Sequence, residues 1–113
     1  MAILRLKARK QFLFVNRGKR AARPTLVVQA RKAVPAHETV RIGFTATKKT
    51  GNAVRRNRNK RRLRAAVTEI LVGRGVIGWD YVFIARTSTA DAKWPDLLAD
   101  MKAALQSLHP QED

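Results

Sequence analysis

A chain of 113 residues, 45% of them hydrophobic, is long enough for one modest core and reads as a single domain over 1–113. Its net charge of +16, from 24 Lys and Arg against 8 Asp and Glu, asks for a polyanionic partner, and the lack of cysteine excludes disulfides and thiolate metal sites. No apolar run approaches the roughly 20 residues of a membrane span or the apolar stretch of a signal peptide, so a cytoplasmic protein without membrane contact is expected.

In chain order, residues 1–8 read as a flexible basic arm. Arg9 to Arg17 carries Phe12, Leu13, Phe14 and Val15 before Gly18, which predicts a short helix, although four consecutive apolar residues could equally begin a strand. Lys19 to Arg23 reads as a basic loop closed by Pro24. Thr25 to Arg31 alternates Leu26, Val28 and Ala30 against Val27, Gln29 and Arg31, the pattern of a strand. After a connection at Val34 to Glu38, Thr39 to Thr47 alternates again. Val40, Ile42, Phe44 and Ala46 belong to the core, and Arg41, Gly43 and Thr45 to an open polar face that Gly43 keeps low enough for nucleic acid to approach.

The stretch Lys48 to Arg64 holds nine Lys or Arg in seventeen positions and no acid. Gly51 suits a turn, Asn52 an N-cap and Gly73 a stop, which predicts a helix over 53–72. On a helical wheel Leu63, Ala66, Val67, Ile70 and Leu71 share a face, so the second half has a side to bury. The cations of the first half point nearly all round and repel at i,i+3 and i,i+4 spacing, by roughly 0.2–0.5 kcal/mol per pair. They also crowd the positive end of the helix dipole. A bound phosphate backbone would reverse that penalty. Acidic lipid is a poorer partner, because the basic half lacks the apolar face that interfacial insertion requires.

Gly73 to Asp80 then reads as a link and Tyr81 to Arg86 as a buried strand, and strand–helix–strand suggests a crossover that is right-handed by rule. Pro95, Asp96 and the stripe Leu97, Met101, Leu105 and Leu108 predict a closing helix to about His109. The fold class expected is α+β, a two-layer sandwich of helices on a small mixed sheet.

Charge is divided along the chain: residues 1–68 hold 20 Lys and Arg against Glu38 alone, and residues 69–113 hold 4 against 7 acids. Nothing in the pattern suggests catalysis. Gly73-x-Gly75-x-x-Gly78 follows a helix instead of a strand, so it is not a dinucleotide fingerprint, and Lys48 stands where a phosphate-cradling loop needs glycine. His37 and His109 are expected on the surface, without metal or triad spacing. Phe44, Tyr81 and Phe83 read as core, and Trp79 and Trp94 as packing anchors. Phe12 and Phe14 divide between core and base stacking, since residues two apart on a helix cannot both face inward.

Arg41-Ile42-Gly43-Phe44, Lys48-Lys49, Gly51-Asn52-Ala53-Val54 and Arg56-Asn57-Arg58-x-Lys60-Arg61-x-x-Arg64 together resemble the signature of the bacterial ribonuclease P protein subunit, and the likeness extends over nearly the whole chain. The resemblance implies a left-handed crossover, an exception to the rule above. It implies a ribonucleoprotein endoribonuclease in which an RNA subunit with Mg²⁺ cleaves the 5′ leader from precursor tRNA. The protein would carry no catalytic residue; no bound cofactor and no protein partner is implied, and whether the chain binds a metal ion of its own stays open. It assigns Arg56, Asn57, Arg58, Lys60, Arg61 and Arg64 to the catalytic RNA, led in by Lys48 and Lys49; Arg55 and Arg62 join them as cations of the same helix. A cleft between the first helix and the sheet would hold the single-stranded leader, with Phe12 and Val15 matching the family pattern. Asn16 and Gln29 stand where relatives often carry aromatics, which implies leader stacking that is either weaker here or shifted to Phe14, and Arg41 and Thr45 supply the polar strand face. Charge and fold class without the signature would equally suit a ribosomal or other structural RNA-binding protein.

Overall fold

Apolar residues alternate along five short segments, and in the computed structural model, which describes residues 2–110, these segments form one mixed sheet. In chain order the elements are β1 (Ile3–Arg5), α1 (Arg9–Asn16), β2 (Lys19–Ala22), β3 (Leu26–Lys32), β4 (Val40–Thr45), α2 (Ala53–Ile70), β5 (Trp79–Ala85) and α3 (Trp94–Leu108). The strand order is β1-β4-β5-β3-β2. β4 runs parallel to both β1 and β5, whereas β3 is antiparallel to β5 and β2.

The period-2 side-chain alternation of strands sends the two residue sets to opposite faces. Val28, Ala30, Val40, Ile42, Phe44, Tyr81 and Phe83 turn to one face and form the main core with Leu63, Ala66, Val67 and Ile70 of α2 and Leu97, Met101, Leu105 and Leu108 of α3. Val82 turns to the other face, where it meets Val15 of α1 and Leu6, with Phe12, Phe14 and Ile84 packed around them. The basic helix therefore lies on one side of the sheet and the short first helix on the other.

Four expectations need correction. Residues 3–5 are not a free arm: β1 pairs with β4 from Ile3↔Val40 to Arg5↔Ile42, and Leu6 is buried. The cations on either side masked an apolar Ile3-Leu4-x-Leu6 run long enough for one sheet edge. Lys19 to Arg23 is largely strand, because Ala21 and Ala22 pair with Val28 and Val27. The open polar face over Gly43 is filled, since the Phe12 ring lies where a Cβ on Gly43 would be, 2.5 Å from it. The two histidines are not surface residues. His109 is buried against Tyr81, its Nε2 2.7 Å from the phenol oxygen, and its ring meets Trp79 edge-on. His37 is half-buried, with Nε2 2.9 Å from Asp80. Neither has a neighbour in sequence that advertises this, because Asp80 and Tyr81 arrive from a distant strand.

Other boundaries agree closely with the pattern. Asn52 caps α2 by accepting the Arg55 N–H at 2.9 Å, and Gly51 takes the φ of +132° that the preceding turn needs. The helix tightens into a 3₁₀ turn over Leu71–Gly73, so it ends within a turn of Gly73 as expected. Gln11 accepts from the backbone N–H groups of Lys7 and Ala8 at 2.7 and 2.8 Å and so opens α1 without a capping side chain at Ala8.

Candidate nucleic-acid interface

The cations of α2, which point all round on a wheel, are sorted by what packs beside them. Arg55, Arg58 and Arg62 recur at i, i+3 and i+7, hence on one flank, and all three turn to the loop that links β5 to α3. Arg55 donates to the Thr87 carbonyl and to the Asp91 carboxylate, Arg58 donates to the Ala90 carbonyl at 2.9 Å, and Arg62 donates to the carbonyls of Thr89 and Ala92. Arg62 also lies over the Trp94 ring, 5.8 Å from its centroid. Burial, and then the neighbouring Arg58, push the Arg62 guanidinium below its usual pKa, whereas the hydrogen bond from Arg55 holds the Asp91 carboxyl below the ordinary carboxylate value. These three arginines clasp their own chain.

Asn57, Lys60, Arg61 and Arg64 project from the other flank, and among the described residues their side chains bind nothing within the chain. With Val54 they line a shallow hollow of about 420 Å³ in which no acid appears. Lys48 and Lys49 are exposed on the 3₁₀ turn that leads into the helix. Arg56 is half-buried with its Nε unpartnered, and Asn59, absent from the expected set, is wholly buried with neither amide atom hydrogen-bonded. A sequence cannot separate a clasping arginine from a free one when the loop that decides lies some 30 residues away. Of the ten residues expected to meet RNA, four line one free hollow, Lys48 and Lys49 are exposed on the turn before the helix, Arg56 is half-buried, and Arg55, Arg58 and Arg62 are tied at least partly elsewhere.

On the opposite face, α1 crosses the sheet above a row formed by Gly43, Val82 and Gln29, which are register neighbours. Val15 is buried beneath the helix, Phe12 covers Gly43, and Asn16 accepts a 2.7 Å hydrogen bond from Gln29 Nε2. The helix thereby divides the expected leader residues. Phe12 and Asn16 sit at the two ends of that row, over Gly43 and Gln29, and Thr45 lies in the next row with Ile84 and Val27. Phe14 overlooks Arg41 and Asp80 across a groove of about 220 Å³, with Lys10 at its side. There Arg41 makes a two-pronged pair with the buried Asp80 at 2.8 and 2.7 Å, which raises the Arg41 pKa. Arg31 stacks 4.1 Å from the Phe14 centroid and donates to the Phe14 carbonyl. Phe12 and Phe14 thus avoid the conflict posed by their spacing, since each is half-buried on its own flank of α1. Nothing local to either residue foretells the Asn16–Gln29 contact, which joins a helix to a strand thirteen residues on.

The family model for ribonuclease P matches residues 2–109. The chain belongs to the family of bacterial ribonuclease P protein subunits. It is 47% identical over 106 residues to the ribonuclease P protein component of Ruegeria pomeroyi, covering 92% of this chain and 85% of the relative. It is 46% identical over 104 residues to that of Caulobacter vibrioides, covering 92% and 70%. Among solved structures, the ribonuclease P protein of Thermotoga maritima superimposes with a TM-score of 0.76 at 27% identity, covering 91% of this chain and 96% of that one. The Staphylococcus aureus ribonuclease P protein superimposes with a TM-score of 0.75 at 25% identity, covering 91% and 93%.

Proposed function

We propose that this chain binds the catalytic RNA of ribonuclease P through the free flank of α2 and the single-stranded 5′ leader of precursor tRNA beside α1. By holding both, it assists 5′ maturation of tRNA by an RNA whose own Mg²⁺ ions carry the cleavage. The observation that carries this reading is the division of α2. Clasping on one flank orients the helix, and the other flank keeps Lys60, Arg61 and Arg64 unpaired and without nearby acid. A cation that has no partner in its own chain has its full charge for phosphate. The leader is proposed to lie beside Phe12, since Arg41 is engaged by Asp80 and Asn16 by Gln29. The protein's part is neutralisation and positioning of two anions that would otherwise repel each other. Bond breaking belongs to the RNA, in the cytoplasm where precursor tRNA is made.

Multiple-turnover cleavage of precursor tRNA by the matching ribonuclease P RNA at moderate Mg²⁺ tests the reading, with and without this protein. Stimulation by the protein, greater for precursor than for mature tRNA as a competitor, is the expected result. Tight binding to that RNA without any stimulation would instead make the chain a structural RNA-binding protein. Cleavage by the protein alone would overturn the division of labour.

A further inference from the structure

The free flank of α2 does not end at Arg64. A second hollow, of about 320 Å³, begins at that residue and runs under the sheet edge between α2, β4 and β1. The two hollows share Arg64, so they form one continuous track along the helix. Their linings change in kind along the way. The first is polar and cationic, whereas the second has an apolar floor of Ile42, Phe44 and Val67 with Arg5 and Arg64 at its rim. Arg5 is exposed and its guanidinium lies over the Phe44 ring, 4.9 Å from the centroid. Thr68 also lines the hollow; its hydroxyl donates to the Arg64 carbonyl at 3.0 Å and retains lone pairs to accept. No Asp or Glu lines either hollow.

An apolar floor flanked by two cations suits a ligand that is flat and apolar in one part and anionic in the next. A nucleotide has that composition. Unpaired bases stack on arginine planes and aromatic rings, while their phosphates take charged donors. The volume lies at the small end of the roughly 300–1,000 Å³ of small-molecule sites, which suits one base and not a helix of a partner protein. Resting on the RNA-binding role of α2 proposed above, we infer that this hollow seats one unpaired base of the RNA that follows the α2 track. The base lies on the Arg5–Phe44 stack, and its flanking phosphates lie at Arg5 and Arg64. The N-terminal strand thereby becomes part of the RNA surface, a role that its place at the sheet edge makes geometrically available.

Because the chain has no cysteine, single cysteines can carry a photoactivatable azidophenacyl probe at chosen positions. Thr68→Cys reports the apolar hollow, Val54→Cys the basic one, and Ala99→Cys the exposed face of α3. With ribonuclease P RNA, the probes at 54 and 68 are expected to cross-link to neighbouring stretches of RNA, the one at 68 to an unpaired nucleotide, and the one at 99 to give no product. Cross-linking from 54 without 68 would overturn the base seat and leave the α2 reading intact, whereas failure of both would overturn the α2 reading itself. Protein–protein products from 68 in the absence of RNA would show an interface between copies of this chain and equally overturn the proposal. Arg5→Lys supplies the second measurement. It keeps the charge and loses the plane, so RNA affinity is expected to fall about tenfold, within the range for loss of one stacked base. Unchanged affinity in Arg5→Lys would mean that only a phosphate is held there.

Discussion

Arg61 and Arg62 are adjacent, identical in type and opposite in duty. Arg61 is exposed and binds nothing in its own chain, whereas Arg62 is half-buried and donates to two loop carbonyls. Arg61→Ala should therefore lower the logarithmic salt slope of RNA binding by about 1 while leaving Tm within about 2 °C. Arg62→Ala should do the reverse, removing two charge-assisted hydrogen bonds worth roughly 1–3 kcal/mol together and lowering Tm by several degrees. Titrations of each variant with the RNA, beside thermal melts, separate the two. The neighbouring clasp has a pH sign of its own. Asp91 has a depressed pKa in the folded chain, so its contribution is present above the ordinary carboxylate value and is lost as pH falls through the folded one. Its exposed position keeps that contribution small. At this scale the sequence was informative about which residues are charged and silent about which are occupied, because Thr87 to Ala92 reach α2 only through the fold.

Among the elements, α2 was the most legible and β1 the least. Asn52, Gly51 and the apolar face of the second half are local signals, and the structure uses all three. β1 has three residues, two of them exposed, and owes its existence to the open edge of β4. No local pattern encodes such dependence. The division by α1 of the residues expected to meet the leader was hidden for a related reason, since it follows from the row Gly43, Val82 and Gln29, whose members come from three strands. Besides Arg56 Nε, α2 carries a second unsatisfied residue. Asn59 is 0% exposed, and its amide oxygen and nitrogen both lack a hydrogen bond. Leaving a buried polar group unsatisfied costs about 1–3 kcal/mol, and replacement by an apolar group of similar shape removes the cost. Asn59→Leu should accordingly raise Tm by several degrees in a thermal melt. A lower Tm would mean that the amide has a partner on the RNA-free protein after all.

For the molecule as a whole, a net charge of +16 on 113 residues acts in two opposite senses. Like charges repel within the compact chain, and salt screens them over a Debye length of about 10 Å at 0.1 M. Salt also lowers the gain from releasing counterions when RNA binds. Raising sodium chloride from low to moderate concentration should therefore raise the Tm of the free protein while weakening its hold on RNA, by a logarithmic slope of roughly 0.7–0.9 per phosphate engaged. Calorimetry of the free chain and filter binding of the complex, run in the same buffers, would read both signs; slopes of the same sign would reject this account. β4 and β5 are parallel neighbours at the middle of the sheet, and the covalent path between them runs through α2. The helix proposed above to hold RNA is thus also the covalent link between the two strands at the centre of the sheet. On that proposal, a pull applied through the RNA is delivered to the middle of the sheet and not to a peripheral strand.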